Sequence, residues 1–279
     1  MIINHNMSSA YAARQAGING TNIQKDMEKL SSGMAINRSS DNAAGLSISE
    51  KMRSQIRGLN QASKNVSDMS SFVQTADGYL QETVDILQRV RELAVQSANG
   101  IFSEEDRMQI SVECNALISE VDRIASQAQF NGMNILTGRF AENGVQFQIG
   151  ANVDQNIKVN VGNMSAEALG LKGSQEGGVA VSVEDQESSN MTIATIDEAL
   201  KIVLKQRGDL GANMNRAEMA QKGIDVAAEN LQASESRIRD ADVCREMVNY
   251  VKDAILQQAS TAMLAQANNS SQNVLRLLQ

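Results

Sequence analysis

Met52 to Ser97 reads MRSQIRGLNQASKNVSDMSSFVQTADGYLQETVDILQRVRELAVQS. Within it Met52, Leu59, Val66, Val73, Leu80, Leu87 and Ala94 stand seven residues apart, and Ala62, Met69, Ala76 and Val90 follow their partners by three. Such an a/d stripe predicts one helix ending near Ser97, about 70 Å long at a rise of 1.5 Å per residue. A second series, Ile196, Val203, Leu210, Ala217, Ile224, Leu231 and Ile238, repeats the pattern further along. Between them Ile110, Cys114, Leu117, Val121, Ile124 and Ala128 alternate spacings of four and three. Each helix therefore carries a narrow apolar seam, and a seam needs a partner to cover it. The predicted architecture is mainly α, a long antiparallel helical rod or coiled coil built from paired N- and C-terminal segments.

Local signals set the boundaries. Ala98, Asn99 and Gly100 end the first long helix, because Asn and Gly tolerate a left-handed cap. Ser103 opens the next, with Asp106 three residues on in capping-box spacing, and Asn131 and Gly132 mark its stop. From 138 to 190 the period changes to two. Val145, Phe147 and Ile149, then Ile157, Val159 and Val161, alternate with polar residues and predict a small β-hairpin insertion. Beyond it only Val179, Val181 and Val183 alternate, which allows at most one more strand.

Composition narrows the function. The 279 residues contain no proline, where average usage would place about fourteen, so nothing interrupts long helices. Met numbers 14 and aromatics are 3%, which suits thin helix-on-helix packing. Cys114 and Cys244 are too few for a disulfide framework and have no metal-motif spacing. The start lacks the basic region and apolar run of a Sec signal peptide, so any passage out of the cytoplasm is expected by another route. No run approaches eighteen apolar residues, and the net charge of -8 argues against nucleic acid.

Charge is also unevenly placed. Arg14 is the only charged side chain from Met1 to Gln24, and Arg276 the only one from Ala254 to Gln279. Chain ends are ordinarily solvated and polar. These instead carry helical stripes, Ala16, Gly20, Ile23, Met27, Leu30 and Met34 at one end and Val248, Val251, Ile255, Ala259 and Ala262 at the other. Lone helices of this kind are marginal in water, so both tips are expected to be disordered in a monomer and to fold on assembly. The expected assembly core is Ile23, Met27, Leu30, Met34, Val251, Ile255, Ala262, Leu264 and Leu275. Catalysis is not expected: His5 is the sole histidine, there is no phosphate loop, and the Glu104, Glu105, Asp106 run suits a helix N-terminus. No metal site and no cofactor are expected.

Three stretches resemble bacterial flagellin: LSSGMAINRSSDNAAGLSISEKMRSQIRGL at Leu30 to Leu59, LQRVRELAVQSANG at Leu87 to Gly100, and the tail from Ser236 to Leu278. The opening MIINHN and the lack of a large middle region are most similar to the periplasmic core flagellins of spirochaetes. The resemblance implies a structural subunit of the motility filament, with residues 1–44 and 237–279 as an inner layer and 45–236 outside it. Ser39, Asp41, Asn42 and Gly45 match the family's connection between layers. Implied partners are copies of the same chain, an export chaperone, the type III export apparatus, cap and junction proteins and sheath proteins. In many flagellins a vertebrate Toll-like receptor reads residues matching Arg89, Leu93 and Glu113. The tail departs from the family where Asn268 to Ser271 stand in place of a usual proline, and Cys244 replaces an aromatic or small residue. A hook-filament junction protein is the nearest rival, and the LQRVRELAVQSANG stretch favours flagellin.

Overall fold

The computed structural model describes residues 6–172 and 181–277, with side chains described as far as 270. His5 and Val179 lie outside the described residues, and so do the side chains of Leu275 and Arg276. Five helices and four short strands follow in the order α1 (Met7–Ser32), α2 (Ala43–Ser97), α3 (Glu104–Gln127), β1 (Gln129–Phe130), β2 (Met133–Asn134), β3 (Val145–Gln148), β4 (Asn156–Val159), α4 (Gln186–Arg239) and α5 (Val243–Leu277). The chain divides into two compact units, one of residues 1–56 with 229–279 and the other of residues 57–228. The division falls inside α2 and α4, so no break in the sequence pattern marks it.

The unit of residues 57–228 holds the heptad seams. Ala62, Val66, Met69, Val73, Ala76, Leu80, Leu87, Val90 and Ala94 of α2 are buried together with Ile196, Val203, Leu210, Ala217 and Ile224 of α4. Arg207 binds Asp77 at 2.7 Å and Arg91 binds Asp197 at 2.8 Å, which fixes α2 and α4 as antiparallel neighbours. The α3 helix adds Ile110, Cys114, Ile118, Val121, Ile124 and Ala125 to this core. It opens on a complete capping box, in which the Ser103 hydroxyl accepts the Asp106 N–H and the Asp106 carboxylate accepts the Ser103 N–H. Burial, reinforced by Glu113, pushes the Cys114 thiol up to about 11, so this cysteine acts as a small hydrophobe.

The β elements cover one part of the core. Asn131 (φ 50°) and Gly132 (φ 73°) both adopt left-handed conformations between β1 and β2. Where the sequence suggested a simple helix stop, these two residues form a tight hairpin turn of the type that demands positive φ twice. Strands β3 and β4 pair antiparallel, with Val145 opposite Val159 and Phe147 opposite Ile157. Phe72 of α2 joins both hairpins, meeting Phe130 edge-on at 5.5 Å and Phe147 at 5.6 Å between ring centroids. Val181 and Val183 are buried without forming a strand.

Candidate assembly interface

The other unit is built differently. Among its described residues Ile36 is the only buried apolar side chain. Helices α1 and α5 pack along each other, and the most deeply buried side chains of the pair are polar. Asn6 donates to the Ala267 carbonyl at 3.1 Å, Ser9 to Asn268 Oδ1 at 2.8 Å and Asn19 to Ser260 Oγ at 3.1 Å, while Lys29 pairs with Glu246 at 3.5 Å. These pairs run in opposite directions along the chain, so α1 and α5 are antiparallel. Asn19, Asp26 and Asp253 are more than nine-tenths buried in the seam. Asn6 caps α1 by accepting the Ser9 N–H, and Gly33 closes it in the left-handed conformation, φ 70°. Among the described residues both tips are helical in the single chain, where the sequence reading expects disorder, and each supplies the other with hydrogen-bond partners.

The apolar residues of the tips lie largely outside this seam. Met27 is 52% exposed, Val251 48% and Ile255 60%, and Ala262 is exposed as well. Ile23, Leu30, Met34 and Leu264 are half-buried. Val248 (68%), Leu256 (44%) and Met263 (65%) extend the open apolar surface of α5. The Arg14 guanidinium sits 5.4 Å above the Tyr11 ring, a cation–π contact at an exposed position.

The segments joining these helices carry a denser polar network. Ala35 donates to the Arg239 carbonyl at 2.7 Å and Ala241 to the Gly33 carbonyl at 2.9 Å, around a single bridge between Met34 and Asp240. Arg239 binds Glu50 at 2.5 Å, and Arg53 reaches Glu50 at 3.3 Å and Glu235 at 3.9 Å. The hydrogen bond from Arg239 holds the Glu50 carboxyl below its ordinary value. Ser39, Asp41 and Asn42 are exposed. The Asp41 carboxylate accepts the N–H groups of Arg38 (3.0 Å) and Asn37 (3.2 Å), and these bonds hold its pKa below the ordinary value. Asn42 Oδ1 accepts the Gly45 N–H at 2.9 Å, capping α2.

Gly45 is buried because of space, not left-handed backbone: a Cβ there would stand 2.8 Å from Ile36 Cδ1 and 2.9 Å from Asn42 Nδ2. A bulky residue must displace either Ile36 or the cap of α2. Gly45→Val is therefore expected to destabilise this unit by about 1–3 kcal/mol. Gly17→Ala, with nothing within 4 Å, should be neutral or gain up to about 1 kcal/mol of helix propensity. Thermal unfolding of the two variants, followed by circular dichroism, checks the contrast; equal midpoints would refute it.

In the unit of residues 57–228, Arg89 pairs with Glu113 at 2.9 Å and with Glu92 at 3.1 Å, and Leu93 is 2% exposed. A partner reading Arg89, Leu93 and Glu113 together would meet an existing ion pair and a buried leucine. Among the described residues no group of three or more His, Cys, Asp or Glu could hold a metal ion, and no helix is long and apolar enough to cross a membrane.

The sequence reading missed the polar seam residues Asn19, Asp26, Glu246, Asp253 and Ser260. A signal was present, since Asn19 and Asp26 stand seven apart, as do Glu246, Asp253 and Ser260. A polar heptad offset from an apolar stripe is read as a solvated face unless a partner is known.

Long helices, an apolar core in one unit and paired chain ends in the other define a helical, coiled-coil-like subunit. The chain belongs to the bacterial flagellin family: residues 3–141 match the bacterial flagellin N-terminal helical region and residues 193–278 the C-terminal helical region. It is 63% identical, over the full length of both chains, to the flagellar filament 30.7 kDa core protein of Treponema maltophilum. The fold is shared with a flagellin of Bacillus cereus, at 24% identity over 58% of this chain and 88% of that one, TM-score 0.50. It is shared also with a putative flagellar hook-associated protein of Vibrio parahaemolyticus, at 13% identity over 72% of this chain and all of that one, TM-score 0.59.

Proposed function

We propose that this chain is the structural core subunit of a flagellar filament and self-assembles into an open helical polymer through the outer faces of α1 and α5. The observation that carries the reading is the contrast within one unit. Its described residues bury a single large apolar side chain, Ile36, while Met27, Val248, Val251, Ile255 and Met263 stand open to solvent. Large exposed apolar surface marks an interaction site. A heterologous contact between copies that does not close a ring yields a filament. The 63% identity to a Treponema flagellar filament core protein supports the same assignment. Similarity to spirochaete core flagellins favours a periplasmic filament, delivered by a chaperone and the type III export apparatus and bounded by cap, junction and sheath proteins.

The test is polymerisation of the purified chain. Ammonium sulfate, which strengthens apolar burial, should drive monomer into long filaments visible by negative-stain electron microscopy. A junction protein, working in few copies, would stop at short or closed oligomers, and that outcome would overturn the reading. Recognition by a vertebrate Toll-like receptor through Arg89, Leu93 and Glu113 is a separate proposal, supported only by the family resemblance of those positions; wild-type monomer that fails to signal would end it.

A further inference from the structure

Asn19 of α1 donates to Ser260 of α5 at 3.1 Å. Seven residues on along α1 and seven back along α5, two turns of each helix, the same register brings Asp26 opposite Asp253. Both aspartates are nearly sealed from water, at 8% and 7% exposure. Three oxygen acceptors of this seam, Asp26 Oδ2, Glu246 Oε2 and Gln257 Oε1, are buried without a hydrogen-bond donor. An acceptor-rich, donor-poor seam is costly to bury, and two facing carboxylates cannot both stay charged cheaply. One proton supplies the missing donor and removes one of the two charges.

We propose that Asp26 and Asp253 form a proton-binding carboxyl pair, so that closing the seam between α1 and α5 takes up a proton and the pairing of the chain ends is strengthened by mild acid. The charged groups around the pair are few. On α1 only Lys29 acts on Asp26, and it is already engaged by Glu246 at 3.5 Å. On α5, Glu246 and Asp253 raise the Asp26 pKa and Lys252, 3.6 Å from Asp253, lowers it. Burial is the largest influence and acts in the same direction as the two carboxylates, so the balance lies above the ordinary value of 3.8.

The sign follows from that direction. A carboxyl whose pKa is higher in the paired state than in the open chain binds its proton more tightly when paired. The contribution of Asp26 is complete below the ordinary value of 3.8 and fades as pH rises through its raised one. Asp41 and Glu50 of the same unit act oppositely, since their lowered values make their contributions present above the ordinary carboxylate range and lost as pH falls through it. Within the seam the proton-linked contribution is therefore present on the acid side of the raised Asp26 value and lost on the alkaline side. Each unit of separation between open and paired pKa corresponds to a tenfold change in the pairing equilibrium. This holds for the single chain and does not depend on the filament reading.

The experiment is carbon-13 NMR of the side-chain carboxyl groups in the full-length monomer, titrated with pH, alongside hydrogen exchange of α1 and α5 at pH 5 and pH 7.5 corrected for the intrinsic rate. Asp26 should titrate above its ordinary value, and removing the facing charge in Asp253→Asn should bring that step down. Protection of α1 should fall several-fold between the two pH values. Asp26→Asn should remove both the high-pH step and the pH dependence of protection while keeping the helices paired. Asp253→Asn provides the same reading from the opposite helix should the first variant fail to pair. Asp26 titrating at its ordinary value, or wild-type protection that does not change with pH, would overturn the proposal.

Discussion

Ile255→Asp is expected to leave the single chain folded and to abolish filament growth. Ile255 is 60% exposed in the chain taken alone, so the new carboxylate is solvated there and disturbs neither the polar seam nor the heptad core. In the polymer the same position is to be covered, and an unpaired charge removed from water costs several kcal/mol per subunit. Because every subunit repeats the defect, even part of that cost shifts the critical concentration out of reach. Circular dichroism and thermal unfolding should match wild type, while electron microscopy after ammonium sulfate should find no filaments. Filaments of normal length would remove the α5 face from the assembly interface. Leu264→Glu and Ile23→Asp are less clean tests, since both side chains are already half-buried within the chain and their replacement also loosens the α1–α5 pair.

Phe72→Ala should have the largest effect on the stability of residues 57–228. The ring is 1% exposed and is the contact shared by α2, the β1–β2 hairpin through Phe130 and the β3–β4 hairpin through Phe147. Its removal leaves a cavity among residues from three separate elements that cannot all collapse inward. A loss of about 3–5 kcal/mol is expected for such a truncation. Urea unfolding should show a lower midpoint with an unchanged slope. A change under about 1 kcal/mol would mean that the hairpins rest on the helices without depending on this ring.

The two variants separate the two kinds of burial in this protein. Phe72 is covered by its own chain, whereas Ile255 is left mostly open by its own chain. The difference was only half legible in the sequence. The spacing of Val66, Val73, Leu80 and Leu87, answered by Ile196, Val203 and Leu210, announced a core because two seams of equal period can close on each other. Ser103 with Asp106 and the alternation around Phe147 and Ile157 were readable for the same reason: each rests on contacts a few residues apart or on a strict period. Asn131 and Gly132 were read as a stop, and the hairpin was missed because a two-residue turn between two-residue strands leaves no period to detect. The seam of α1 and α5 was missed because its heptad is made of Asn19, Asp26, Asp253 and Ser260, residue types that ordinarily face water.

What the sequence determined by itself was the heptad helices, the core between α2, α3 and α4, and the presence of apolar stripes on nearly uncharged ends. Hydrophobic periodicity specifies that a face will be buried, because water expels it wherever it lies. Which partner buries the face is a matter of what else comes within reach, and only the tertiary structure decided that. It brought Asn19, Asp26, Asp253 and Ser260 into the seam of α1 and α5, where a hydrogen bond joins Asn19 to Ser260, and it left much of the apolar stripe of α5 open to solvent.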